Sequence, residues 1–109
     1  MSYSVLYTFN FKKEIKRLSK KYPSLKNEIE ILITELEENP THGISIGKNC
    51  YKIRLAIKSK GKGKSGGARV ITFFKIIKTE IYLLTIYDKS KKKDISDKEI
   101  QELITEIPI

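Results

Sequence analysis

A chain of 109 residues, 39% hydrophobic and 32% charged, is sized to bury one modest core as a single domain over 1–109, which sets aside intrinsic disorder and multidomain assemblies. Its formal charge of +9 calls for a polyanionic partner, a nucleic acid or an acidic protein. No Asp or Glu occurs from Thr41 through Thr79, where Lys48, Lys52, Arg54, Lys58, Lys60, Lys62, Lys64, Arg69, Lys75 and Lys78 fall, whereas a merely solvated surface would mix the signs.

Tyr3 to Thr8 alternate polar residues with Val5 and Tyr7 and read as a first strand. Asn10 is placed to cap a helix whose apolar positions are Phe11, Ile15, Leu18 and Tyr22. Pro23 ends that helix, and Ser24 is placed to cap a second, with Leu25, Ile29, Leu32, Ile33 and Leu36 on its buried stripe, ending at Asn39-Pro40. The two make a helical hairpin. Thr41 to Gly47 reads as a loop. Tyr51, Ile53, Leu55 and Ile57 then alternate with Lys52, Arg54, Ala56 and Lys58, a half-buried strand with a basic outer face. Lys58 to Gly67 reads as a flexible loop. Ala68 to Ile77 and Glu80 to Tyr87 follow as two central strands joined by a tight turn at Lys78-Thr79, with Tyr51, Phe73 and Phe74 expected in the core. Ser96 and Glu99 have the capping-box spacing, and Ile95 and Ile100 the spacing of a hydrophobic staple, for a last helix buried through Leu103, Ile104 and Ile107. The order β-α-α-β-β-β-α predicts an α+β fold with a mostly antiparallel sheet.

Cys50 is the only cysteine, so no intrachain disulfide forms, and a reducing interior is the natural setting. No apolar run approaches the roughly 20 residues of a membrane span. The opening MSYSVLYTFNF has no basic region followed by an apolar stretch, so the expected location is the cytoplasm, with no membrane partner. His42 is the only histidine; a histidine acid–base pair is excluded, and one His with one Cys leaves no zinc site. Any chemistry falls to Lys, Arg and Tyr, without a small-molecule cofactor.

Gly61, Gly63 and Gly66 satisfy G-x-G-x-x-G, but the loop feeds a strand, so no helix amino terminus would receive a pyrophosphate. Gly63-Lys64-Ser65 resembles the end of a Walker A loop, yet the position that needs its first glycine is Lys58. Alternating glycine and lysine instead suits close approach to a phosphate chain, with Lys58, Lys60, Lys62 and Lys64 as RNA-binding cations; the bland alternative is a solvated connection. Tyr87, at the end of the last strand before the basic run Lys89 to Lys93, is placed to stack on a base or offer its hydroxyl, or simply to sit at the sheet edge in water.

Tyr51-Lys52-Ile53-Arg54, then GKGKSGGARVI from Gly61 to Ile71, then IYLLTIYDKSKKKDIS from Ile81 to Ser96, together resemble the RelE/HigB branch of the RelE/ParE superfamily, toxins of type II toxin–antitoxin systems. The resemblance implies a RelE-like microbial RNase fold and a separately encoded antitoxin partner. It also implies metal-independent endoribonuclease activity on messenger RNA at the ribosome, inhibiting translation. The RNA 2′-hydroxyl must lose a proton, the phosphorane needs fixed cations, and the leaving 5′-oxygen needs a proton. Lys52 and Arg54 match the basic positions of the family's second strand, and Arg69 matches the arginine entering its third. Lysine crowded by cations sheds its proton more readily, and guanidinium forks match phosphate oxygens. Several relatives carry a second arginine and a tyrosine after the last strand. Here the region reads Lys89-Ser90-Lys91-Lys92-Lys93, with Ser96 at the tyrosine's place, so Tyr87, Lys89 or Lys91 would take that role, with Lys91 and Lys92 also facing RNA. The rival readings are a ParE-like poison of DNA gyrase, a non-enzymatic RNA- or ribosome-binding module, and an inactive relative that only binds antitoxin.

Overall fold

Two apolar layers close on opposite faces of one sheet. The computed structural model describes residues 3–61 and 66–108. Its elements are β1 (Ser4–Tyr7), α1 (Phe9–Lys21), α2 (Leu25–Glu38), β2 (Ile44–Gly47), β3 (Cys50–Leu55), β4 (Ala68–Lys75), β5 (Glu80–Asp88) and α3 (Asp97–Ile104). The sheet order is β1-β5-β4-β3-β2, and every neighbouring pair is antiparallel except β1 with β5. The α+β architecture is therefore as the sequence predicts, with one strand more.

The near-continuous apolar runs of β4 and β5 follow from their central places. On one face Val70, Ile81 and Leu83 meet Phe11 and Leu18 of α1 and Ile29 of α2. On the other, Ile71 and Leu84 pack with Ile100 and Leu103 of α3. Phe73 and Phe74 divide between these two faces and are half-buried, as is Tyr51. The α3 capping box forms: Glu99 N–H donates to Ser96 Oγ at 3.1 Å, and Ser96 N–H donates to Glu99 Oε1 at 3.1 Å.

Four local expectations are corrected. Thr8, not Asn10, caps α1: its hydroxyl accepts from Phe11 N–H at 3.2 Å and donates to Leu83 O at 3.0 Å. It holds this place because β5 bulges there. Ile71 faces Thr85 while Thr72 faces Leu83, so Leu84 is an extra residue. Asn10, inside the first turn, donates from its side-chain amide to Leu84 O at 3.1 Å.

Second, the supposed loop before β3 contains the edge strand β2, paired to β3 through a two-residue turn in which Lys48 and Asn49 have φ of 55° and 62°. Third, β4 stops at Lys75, and a helical turn at Ile76–Lys78 leads to Thr79 with φ 52°. Fourth, Ser24 precedes α2 without a side-chain cap bond; its hydroxyl serves Glu28 and Ser59 instead.

The stem of the glycine–lysine loop is likewise held rather than loose. Lys58–Lys60 form a helical turn; Lys58 N–H donates to Glu28 Oε2 at 2.7 Å and Ser59 N–H to Ser24 Oγ at 2.9 Å. The Lys60 ammonium donates to Asp88, to Gly66 O at 2.9 Å and to Ser90 Oγ at 3.1 Å, and Tyr22 OH donates to Asp88 Oδ2 at 2.8 Å. Both ions are buried: side-chain exposure is 9% for Lys60 and 4% for Asp88. Gly67 closes the stem, because a Cβ there would stand 2.1 Å from Leu55 O.

Burial alone would raise the Asp88 pKa, but hydrogen bonds from Lys60, Ser90 and Tyr22 outweigh it and hold the carboxyl well below the usual carboxylate range. Asp88→Asn leaves the Lys60 ammonium buried without its counter-ion and should cost about 3–5 kcal/mol in urea unfolding. A depressed folded-state pKa stabilises above the unfolded value near ~3.9 and loses that contribution as pH falls toward the folded value. The gap between wild type and variant should therefore hold steady from about pH 7 to about pH 5 and shrink at lower pH.

Candidate functional site

Residues directly opposite one another on adjacent strands share a face of the sheet. Arg54 of β3 faces Arg69 of β4, which faces Tyr87 of β5; two residues along, Lys52 faces Ile71, which faces Thr85. The register thus brings Lys52, Arg54, Arg69 and Tyr87 together on the α3 side of the sheet. Arg54 is exposed, as the basic outer face of β3 predicts. Arg69 is only 5% exposed, and its Nη1 donates to Ala68 O at 3.1 Å, so it is a structural support of β4 as well as a cation.

Tyr87 is neither a sheet-edge residue nor a stacking surface in water. It lies in a central strand at 6% exposure, and among the described residues its hydroxyl has no hydrogen-bond partner. Burial chiefly, then the charge of Asp94, raises its pKa against the opposing influence of Arg69, so the hydroxyl keeps its proton at neutral pH. The Lys92 ammonium stands 5.7 Å from the ring centroid. A cleft of about 650 Å³ opens beside Tyr87 between α1 and α3, bordered by Arg17, Thr85, Lys91, Lys92 and Glu102.

The remaining predicted cations divide by what holds them. Lys58 and Lys91 have exposed side chains. Lys60 is committed to the buried pair with Asp88, whereas Lys92 pairs with Glu99 at the surface with its side chain 38% exposed, so the Lys60 ammonium is closed to a phosphate and that of Lys92 is not. Lys89 is half-buried, its ammonium donating to Lys93 O. Lys62 and Lys64 lie outside the described residues.

Two acids that sequence reasoning passed over belong to this region. Asp88 anchors the end of β5, and Asp94 pairs with Lys52 at 3.1 Å. The Asp94 carboxyl is lowered first by the Ile95 N–H bond and then by Lys52. The run Lys89 to Lys93 read as a cationic segment facing RNA, which drew attention away from the acids at its two ends. Away from the site, His42 stands 3.3 Å from Glu35, and burial pushes the Cys50 thiol up to about 11, which removes it as a nucleophile. Among the described residues no group of three or more His, Cys, Asp or Glu is placed to hold a metal ion, and no helix is long and apolar enough to cross a membrane.

A sequence profile described as the RelE toxin of the RelE/RelB toxin–antitoxin system matches residues 7–106. The chain belongs to the RelE toxin family. Two solved structures of Escherichia coli RelE share the fold of this family member. A double arginine-to-alanine variant in the free state matches with TM-score 0.65 and 16% identity, over 99% of this chain and 100% of that one. The isolated toxin matches with TM-score 0.62 and 16% identity, over 97% of this chain and 100% of that one. As a RelE family member the protein is a toxin of a toxin–antitoxin system.

Within this RelE-type sheet, a buried hydroxyl without a partner carries a desolvation cost that no bond offsets. Tyr87→Phe should therefore leave stability unchanged or raise it by up to about 1 kcal/mol in urea unfolding. A clear loss of stability would mean that the hydroxyl has a structural partner.

Proposed function

We propose that this RelE family member is a metal-independent endoribonuclease that cuts messenger RNA on the translating ribosome and so inhibits translation. The observation that carries the reading is the register that sets Arg54, Arg69 and Tyr87 side by side across three strands, with Lys52 on the same face. In-line attack by the 2′-hydroxyl makes a phosphorane whose charge fixed guanidinium groups stabilise, and more strongly in a partly dry site than in water. Arg54, exposed, meets the phosphate first; Arg69, buried behind it, holds a fixed charge beside Tyr87. For the departing 5′-oxygen the candidate proton donor at the surface is exposed Lys91, with the buried Tyr87 hydroxyl behind it. Lys52 is the candidate to accept the 2′-hydroxyl proton, a role open to it only as the neutral amine, and Lys89 lies on the segment that borders it.

Exposed Lys58 and Lys91, with Lys62, Lys64 and the surface-paired Lys92, track the RNA backbone in this reading; Lys60 serves the fold instead. A separately encoded antitoxin, acidic where it meets the cationic face, silences the toxin, since complementary charge both steers and orients such a complex.

The test is purified protein with translating ribosomes and a defined message, followed by primer extension. Wild type should produce discrete cleavage stops. Arg54→Ala, an exposed position, should reduce cleavage by roughly 10²-fold or more with an unchanged melting temperature. Trapped, cleaved DNA in a gyrase assay without any message cleavage would overturn the proposal in favour of a gyrase poison.

A further inference from the structure

The cationic face contains an anion, Asp94, that its own part of the chain does not supply. No Asp or Glu occurs between Thr41 and Thr79, yet the Lys52 ammonium faces Asp94 Oδ1 at 3.1 Å, a residue 42 positions later in the chain. The pair is asymmetric: the Lys52 side chain is 27% exposed and that of Asp94 is 68% exposed. The carboxylate is therefore the more open of the two to solvent, from which a phosphate would arrive. It is set in place locally, because the same Oδ1 accepts the Ile95 N–H at 2.9 Å. Its charge also reaches Lys89 and the hydroxyl of Tyr87. One carboxylate thus bears on three groups of the proposed site.

We infer that Asp94 occupies, beside Lys52, the place of an RNA phosphate, so that RNA engages the cationic face by displacing this carboxylate. The inference rests on the ribonuclease reading above. Exposed ion pairs are individually weak and exchange readily, so a chain that also engages exposed Arg54, Lys58 and Lys91 displaces the carboxylate easily. A lone phosphate that gains only Lys52 has little advantage over it. Asp94 thereby favours extended polyanions over small ones and keeps the face partly neutralised when no RNA is bound.

Binding of a fully 2′-O-methylated RNA oligonucleotide, which lacks the attacking hydroxyl, tests this across a salt series. The proteins are wild type, Asp94→Asn, Lys52→Ala and the double variant. Asparagine keeps an oxygen for the Ile95 N–H, and a thermal melt of each protein checks that the fold is retained. Asp94→Asn should bind roughly two- to fivefold tighter, the range that an exposed ion pair spans. For Lys52→Ala the plot of log affinity against log salt should be shallower than for wild type by about 0.7, one phosphate contact fewer on a single strand. The gain should vanish in the Lys52→Ala background, which separates a local contact from a general change in net charge. Wild-type binding with no gain in Asp94→Asn, or an equal gain without Lys52, overturns the inference and leaves the RNA reading standing. No binding by any of the four proteins overturns both.

Discussion

Asp88 is a buried carboxylate, and a buried carboxylate persists only where its lone pairs are filled. Tyr22 reaches it from the end of α1, Lys60 from the connection between β3 and β4, and Ser90 from the chain after β5. These three points are far apart in sequence, and a single ion holds them at one end of the sheet. Asp88 also faces Ala68 across the β4–β5 ladder, immediately before Arg69, and follows Tyr87 directly. The residues read as catalytic therefore ride on strand ends whose positions this network sets. A connection rich in glycine and lysine would otherwise leave those ends free to splay.

Much of the fold was legible because its signals are local. The helical stripes of α1 and α2, the alternation of β3 and the Ser96–Glu99 spacing each report a preference written within a few residues. What escaped depends on partners distant in the chain. Thr8 caps α1 because the bulged β5 offers it two carbonyls, and no window of sequence around Thr8 contains β5. The strand β2 is four residues long, ISIG, too short for periodicity to separate it from a loop, and it exists because β3 presents an edge beside it.

The site divides along the same line. Lys52 and Arg54 were recognisable from alternation, because a strand's outward positions follow from its own pattern, and Arg69 from resemblance alone. Their relation to Tyr87 is a matter of register, which sequence does not state. The lysines were hardest to sort. Lys58 and Lys60 are two residues apart and look alike on the page, yet one is exposed and the other is sealed against Asp88. Density of charge indicated a surface for a polyanion but could not say which ammonium was already spoken for.

The bulge at Leu84 carries a consequence for the whole face. Along a regular strand, side chains five residues apart point in opposite directions. Tyr82 and Tyr87 are five apart, yet both lie on the α3 side, while Ile81, Leu83 and Ile86 lie on the other. The inserted residue changes the strand's parity midway, so the first half of β5 keeps one phase and the second half takes the opposite one. With an unbroken phase, Tyr87 would turn into the packing of α1 and α2, and Ile86 would stand beside Arg69. A single supernumerary leucine, its carbonyl met by Thr8 and Asn10, is thus what aims a phenol at two guanidinium groups.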